Sequence, residues 1–299
     1  MGSVWKYTPE GELILLLGNF HAHNVSLDSH SNVITAHGEN SHTMVRLNNV
    51  GSIDTLHHSL DYREFSGGNC TYAPNGEIVF GIENKLWRIN DVGVKEAVSD
   101  YRFQWNQTVY VDADGNYYGP DIGIGNGSLV KIDSEGNAET LATGLIDKHP
   151  FDPHSDVLLG ITKDAAGNLY IADTGGKRIA RINEDKEVET FYTSDGLWFP
   201  TGVDFVGTTA YILENKSDNG LKGPRIIKLD GAGNKSIVFN YETYKAEGEN
   251  PSKQEGRENE NDNDSGLWLY LISGGLLFVL LWLWRRIVRF KKLSSLSRD

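Results

Sequence analysis

The chain has 299 residues, 39% of them apolar and 23% charged, and a formal net charge of −13. That is apolar material enough for a core, which excludes wholesale disorder, and the negative balance argues against nucleic acid as a partner. One cysteine, Cys70, excludes an intramolecular disulfide and all but excludes a thiolate zinc site.

In chain order, Met1–Lys6 does not read as a secretory leader. The first apolar run, Leu13 to Leu17, is short and lacks a basic flank. Thirty-three glycines beside 13 Tyr, 11 Phe and 7 Trp predict many short strands and tight turns. An apolar–basic–apolar column then recurs six times: Trp5-Lys6-Tyr7, Val45-Arg46-Leu47, Trp87-Arg88-Ile89, Val130-Lys131-Ile132, Ala180-Arg181-Ile182 and Ile227-Lys228-Leu229. A polar or Gly-rich turn and a second short strand follow most copies, and period-two alternation around a turn predicts a hairpin. Ahead of copies two to six runs a more apolar strand–turn–strand: HNVSLDSHSNVITAH, NCTYAPNGEIVFG, TVYVDADGNYYGPD, GITKDAAGNLYIAD and GVDFVGTTAYILE. Two hairpins per period of roughly 44 residues make a four-stranded unit, the signature of a propeller blade.

Gly167-Asn168-Leu169-Tyr170-Ile171-Ala172-Asp173-Thr174-Gly175-Gly176-Lys177-Arg178-Ile179 resembles an NHL-repeat blade. It is similar as well to blades of the gluconolactonase/regucalcin superfamily of six-bladed propellers. Phe199-Pro200-Thr201-Gly202-Val203 resembles the Pro-x-Gly start of a blade's inner strand. The resemblance covers about residues 4–240 and implies a fold that hosts binders, lactonases and lyases alike. With six outer hairpins but five inner ones, the expectation is an all-β, six-bladed β-propeller over residues 1–240. Its N-terminal blade is incomplete because the chain starts mid-blade.

Residues 241–265 read as a polar linker. Leu267 to Trp284 is an uncharged run of eighteen residues with Trp268, Tyr270, Trp282 and Trp284 near its ends. At 1.5 Å per residue it spans about 27 Å, the thickness of a bilayer core. Arg285, Arg286, Arg289, Lys291 and Lys292 follow. The reading is a single-pass transmembrane helix over 266–285 and a basic cytoplasmic tail over 286–299, with the lipid bilayer as partner and the propeller outside.

Ligands of propellers bind at the channel mouth, where the inner strands start. The polar groups predicted to converge there are His23, Asn69, Asn106, His154 and Asp156. The aromatics that open these loops (Phe20, Phe65, Phe103, Phe151, Trp198) read instead as wedges between blades. The resemblance to calcium-dependent lactonases implies a Glu, two Asn and an Asp at the strand starts, oxygen ligands for a hard cation. The matching positions here are His23, Gly68, Gln107, Leu159 and Thr201, none acidic, with Asn69 and Asn106 one residue off. Calcium is the one cofactor left open, and no metal ligands are assigned. A resemblance to the amidating-lyase propeller implies three zinc-binding His, of which His23 alone matches. Asp112-Ala113-Asp114-Gly115-Asn116 reads as a hairpin turn rather than a calcium loop. The function expected is a membrane-anchored module that binds a small-molecule or protein ligand at its channel mouth. The alternative is a divalent-metal-dependent, lactonase-like hydrolase.

Overall fold

The computed structural model describes residues 3–20, 22–38, 41–48, 51–90, 92–148, 156–217 and 221–248. β1 (Val4–Tyr7) and β2 (Leu13–Leu17) form a two-stranded antiparallel sheet. Five four-stranded antiparallel sheets follow, each with its strands in sequence order across the sheet. The first holds β3 (Ala22–Leu27), β4 (Val33–His37), β5 (His42–Leu47) and β6 (Ile53–Ser59). The second holds β7 (Cys70–Tyr72), β8 (Ile78–Ile82), β9 (Lys85–Ile89) and β10 (Lys95–Ala97). The third holds β11 (Tyr110–Val111), β12 (Tyr117–Asp121), β13 (Ser128–Ile132) and β14 (Ala138–Thr143). The fourth holds β15 (Leu158–Lys163), β16 (Leu169–Asp173), β17 (Arg178–Ile182) and β18 (Val188–Thr193). The fifth holds β19 (Trp198–Val206), β20 (Thr209–Ser217), β21 (Leu221–Leu229) and β22 (Lys235–Asn240). This is the repeating meander of a β-propeller.

The turns explain why the hairpins form where they do. Asp28, Asp112, Asp133, Asp164 and Asp230 each accept the N–H two residues on and again four residues on through one carboxylate oxygen. Such Asx turns reverse the chain without a partner from elsewhere. Asp112 therefore serves its turn, as its sequence predicts. The basic column faces an acidic one in four of the five sheets: Arg46, Arg88, Lys131 and Arg181 stand opposite Asp54, Glu96, Glu139 and Glu189, whereas Lys228 of the fifth stands opposite Ser236.

Apolar clusters lie between neighbouring sheets. Phe65 is fully buried among Ile34, Ala36 and Phe80 of the first two sheets. Phe103 does the same between Val79 and Val130 of the second and third. Both are the wedges expected.

The structure departs from expectation in two places. Among the described residues there are five four-stranded sheets rather than six, and β1 and β2 pair only with each other. That pair still packs on both sides. Val4 joins Val33 and Leu47 of the first sheet, and Tyr7 meets Phe239 of the fifth with ring centroids 4.8 Å apart. The linker predicted from residue 241 begins instead as α1 (Tyr241–Gly248). Asn240 caps it by accepting the Glu242 N–H at 3.0 Å, and Tyr241 and Tyr244 pack with Phe239. Among the described residues no helix is long and apolar enough to cross a membrane. The predicted span, Leu267 to Trp284, lies outside them.

Candidate functional site

At the mouth, the inner strands start and the second strands end, so the side chains of both meet there. Asn69 and Asn106 come together: Asn69 Nδ2 donates to Asn106 Oδ1 at 2.8 Å. Asn106 Nδ2 in turn donates to the Thr108 and Pro120 carbonyls. A Cβ on Gly81 would lie 2.4 Å from Asn69 Nδ2, so the amide bridge needs a glycine beneath it. Asp156 joins neither amide. It is buried and pairs with Lys148 at 2.7 Å. His154 lies outside the described residues. His23 sits at a bulge in β3, and its side chain is likewise outside them.

Acidic residues at or near the ends of the second strands tie the sheets together. Asp121 accepts the Gln104, Trp105 and Gly123 N–H groups. Asp173 accepts those of Asp147 and Gly176 and pairs with Arg178. Burial raises its carboxyl above the ordinary range, and these partners offset the rise in part. Glu214, fully buried, accepts from Tyr192 at 3.0 Å and pairs with Arg225, whose guanidinium also meets Asp195 at 2.7 Å and lies over Trp198. Thr201 accepts from Asn215 at 3.1 Å.

These contacts bear on calcium. Two buried amide oxygens, Asn69 Oδ1 and Asn215 Oδ1, take no hydrogen bond from the described residues. No carboxylate joins them in a metal-holding set: among the described residues there is no group of three His, Cys, Asp or Glu side chains able to hold an ion. The nearby acids already have cationic or N–H partners, so these residues do not fit a calcium centre.

Deeper along the axis the chemistry changes. A cavity of about 240 Å³ runs between the inner strands of all five four-stranded sheets. One layer of its lining recurs with the repeat, since Ser26, Thr71, Tyr110 and Thr162 each stand two residues before the first residue of the turn. Asp204 of β19 completes the layer. β15 and β19 approach closely here: a Cβ on Gly160, at φ +50°, would lie 2.4 Å from Gly202 Cα. Two residues beyond each glycine, the Thr162 hydroxyl donates to Asp204 Oδ1 at 3.2 Å. The Phe205 N–H is the other donor to that oxygen, at 2.9 Å. Burial raises the Asp204 carboxyl above its ordinary pKa, with the two hydrogen bonds opposing. Burial, aided by the charges of Asp112 and Asp204, pushes the Tyr110 phenol up to about 12. Sequence reasoning missed this layer. The available signal was a carboxylate inside the apolar run Gly-Val-Asp-Phe-Val.

No family model matches the chain, and no curated protein is similar to it in sequence. Solved structures are similar in fold. Virginiamycin B lyase from Staphylococcus aureus superposes with a TM-score of 0.52 at 17% identity, covering 78% of this chain and 75% of that one. A putative gluconolactonase gives 0.53 at 16% identity, over 79% and 86%. The calcium-binding protein regucalcin from Agrobacterium tumefaciens gives 0.53 at 14%, over 80% and 77%. At these identities the likeness establishes the fold, a β-propeller, and leaves the chemistry to the side chains.

Proposed function

We propose that the chain is a ligand-binding propeller whose axial cavity takes a small polar organic molecule. One observation carries this reading. Most polar groups described at the mouth bond one another, leaving open only the Asn69 and Asn215 amide oxygens, whereas the cavity below presents several hydroxyls and one carboxylate whose hydrogen bonds fall on a single oxygen. A volume of about 240 Å³ falls below the roughly 300–1,000 Å³ typical of drug-sized ligands, so the molecule is compact. We read β1 and β2 as the outer half of a sixth blade.

The hydrolase reading stays as the second, favoured by the fold's likeness to a putative gluconolactonase and to regucalcin. Calorimetric titration of the purified protein with calcium and with zinc separates the two. We expect weak binding or none. Submicromolar calcium affinity, lost in a folded Asn106→Ala variant, would establish the metal-dependent alternative.

The anchor is part of the proposal. Leu267 to Trp284, followed by five basic residues, would hold the propeller outside a membrane with the C-terminus in the cytoplasm. Protease added to intact cells should then release the propeller. Protection of the propeller with cleavage of the tail would reverse the topology.

A further inference from the structure

Most acidic groups around the channel have a cationic partner. Lys163 pairs with Asp112 at 3.0 Å, Lys148 with Asp156, Arg178 with Asp173, and Arg225 with Glu214. Asp121 has three backbone N–H donors instead. Asp204 has neither. Both of its hydrogen bonds fall on Oδ1, and among the described residues Oδ2 has no donor and the carboxylate no ion pair. The nearest lysine in sequence to its Thr162 partner, Lys163, is committed to Asp112.

Asp204 is half-buried on the cavity wall. A carboxylate partly withdrawn from water without a counter-charge is unfavourable, and two things relieve it: a proton or a cation. The cavity decides which cation suits. No lining residue is basic, and Asp204 is its only carboxylate, so a divalent ion would find neither enough charge nor enough hard oxygen ligands. What remains is a set of hydroxyl side chains lining the same cavity as Asp204, each oxygen able to accept an N–H, among apolar walls from Val25, Val109, Ile161 and Val203. The Tyr110 ring adds an aromatic surface of the kind that attracts cations.

We propose that the axial cavity selects a small organic ammonium ion, whose N–H groups are shared between Asp204 and the hydroxyls of Ser26, Thr71, Tyr110 and Thr162. The proposal rests on the axial-cavity reading and names its ligand class. A primary amine in its protonated form supplies three donors to acceptors on different strands. A carboxylate ligand would meet Asp204 with like charge, and a neutral alcohol would leave that charge uncompensated.

The test is calorimetric titration of the full chain with butylammonium, butan-1-ol and butyrate at neutral pH. It is repeated on Asp204→Asn and Asp204→Glu, with circular dichroism and urea midpoints to verify folding. Butylammonium should bind at least about tenfold more tightly than butan-1-ol, the scale of a single desolvated charge pair. Asp204→Asn should erase that preference and leave butan-1-ol unchanged, while Asp204→Glu keeps part of it. Equal binding of the amine and the alcohol, insensitive to Asp204→Asn, overturns the ammonium proposal and leaves the cavity reading standing. A preference for butyrate does the same. Absence of binding by all three at millimolar concentrations removes the cavity reading and this proposal together.

Discussion

The mouth of the channel and the cavity below it are built from the same inner hairpins, yet they use polar side chains in different ways. At the mouth, Asn106, Asp121, Asp173 and Glu214 each satisfy donors or acceptors from a neighbouring loop or strand. Their chemistry is consumed in holding sheets to one another. Toward the turn end of the inner strands, half-buried Asp204 is held by one hydroxyl and one N–H, both on the same oxygen. Buried polar groups normally come with their partners supplied. A place where the partner set is incomplete is where a ligand has something to add. The mouth, which sequence reasoning singled out, is thus chiefly the propeller's fastening, with the Asn69 and Asn215 amide oxygens left open, and the carboxylate in the cavity below is the better candidate for recognising a charged ligand.

That contrast predicts graded losses of stability when the fastening is cut. Arg225→Ala should have the largest effect. It strands Glu214, which is fully buried, and removes a guanidinium stacked 4.2 Å from the Trp198 ring centroid. Breaking one side of a buried pair costs about 3–5 kcal/mol. Asn106→Ala should follow at about 1–3 kcal/mol, since it withdraws the donor to two carbonyls and the acceptor for Asn69. Urea midpoints order the two. An Arg225→Ala loss below that of Asn106→Ala would mean that Glu214 finds relief without its partner, and the interlocking role would fall.

The blade repeat was legible in the sequence because its causes are local. Each Asx turn bonds within five residues, and in four sheets the basic column stands opposite acids one strand away. The aromatic wedges at Phe65 and Phe103 were legible for the same reason, since every sheet needs one. The pairing of Asn69 with Asn106 was half legible, as two polar residues at equivalent strand starts. Asp156 was placed at the mouth by its position, but its Lys148 partner comes from the preceding loop, whose path no periodicity reveals. Asp204 was harder still. Whether a carboxylate in an apolar strand faces solvent or the axis depends on how closely two sheets approach. Here the facing pair Gly160 and Gly202 sets that approach. The helix at Tyr241–Gly248 escaped because its apolar contacts are only two tyrosines on an otherwise polar segment.

The smallest effect, and of opposite sign, should come from Asp204→Asn. At the mouth a polar side chain stabilises the fold, whereas at Asp204 an uncompensated carboxylate opposes it. The pH dependence follows from the raised carboxyl of the folded state. Below the unfolded value of about 4 the group is protonated in both states and contributes nothing. As pH rises from there through the folded value, the unfolded chain gives up its proton first and stability falls. Above the folded value the whole cost is present. Asparagine does not titrate, so the variant should gain on the wild type from acid to neutral pH, by no more than about 1–2 kcal/mol. Asp173 is also raised, and the turn residues Asp28, Asp112 and Asp164 are lowered. They are common to both proteins and cancel in the difference. Paired urea titrations at about pH 4 and about pH 8 measure it. A variant less stable than wild type at neutral pH would show that Asp204 has its counter-charge within the fold. The cavity would then obey the logic of the mouth, and the case for a cationic ligand would lose its physical basis.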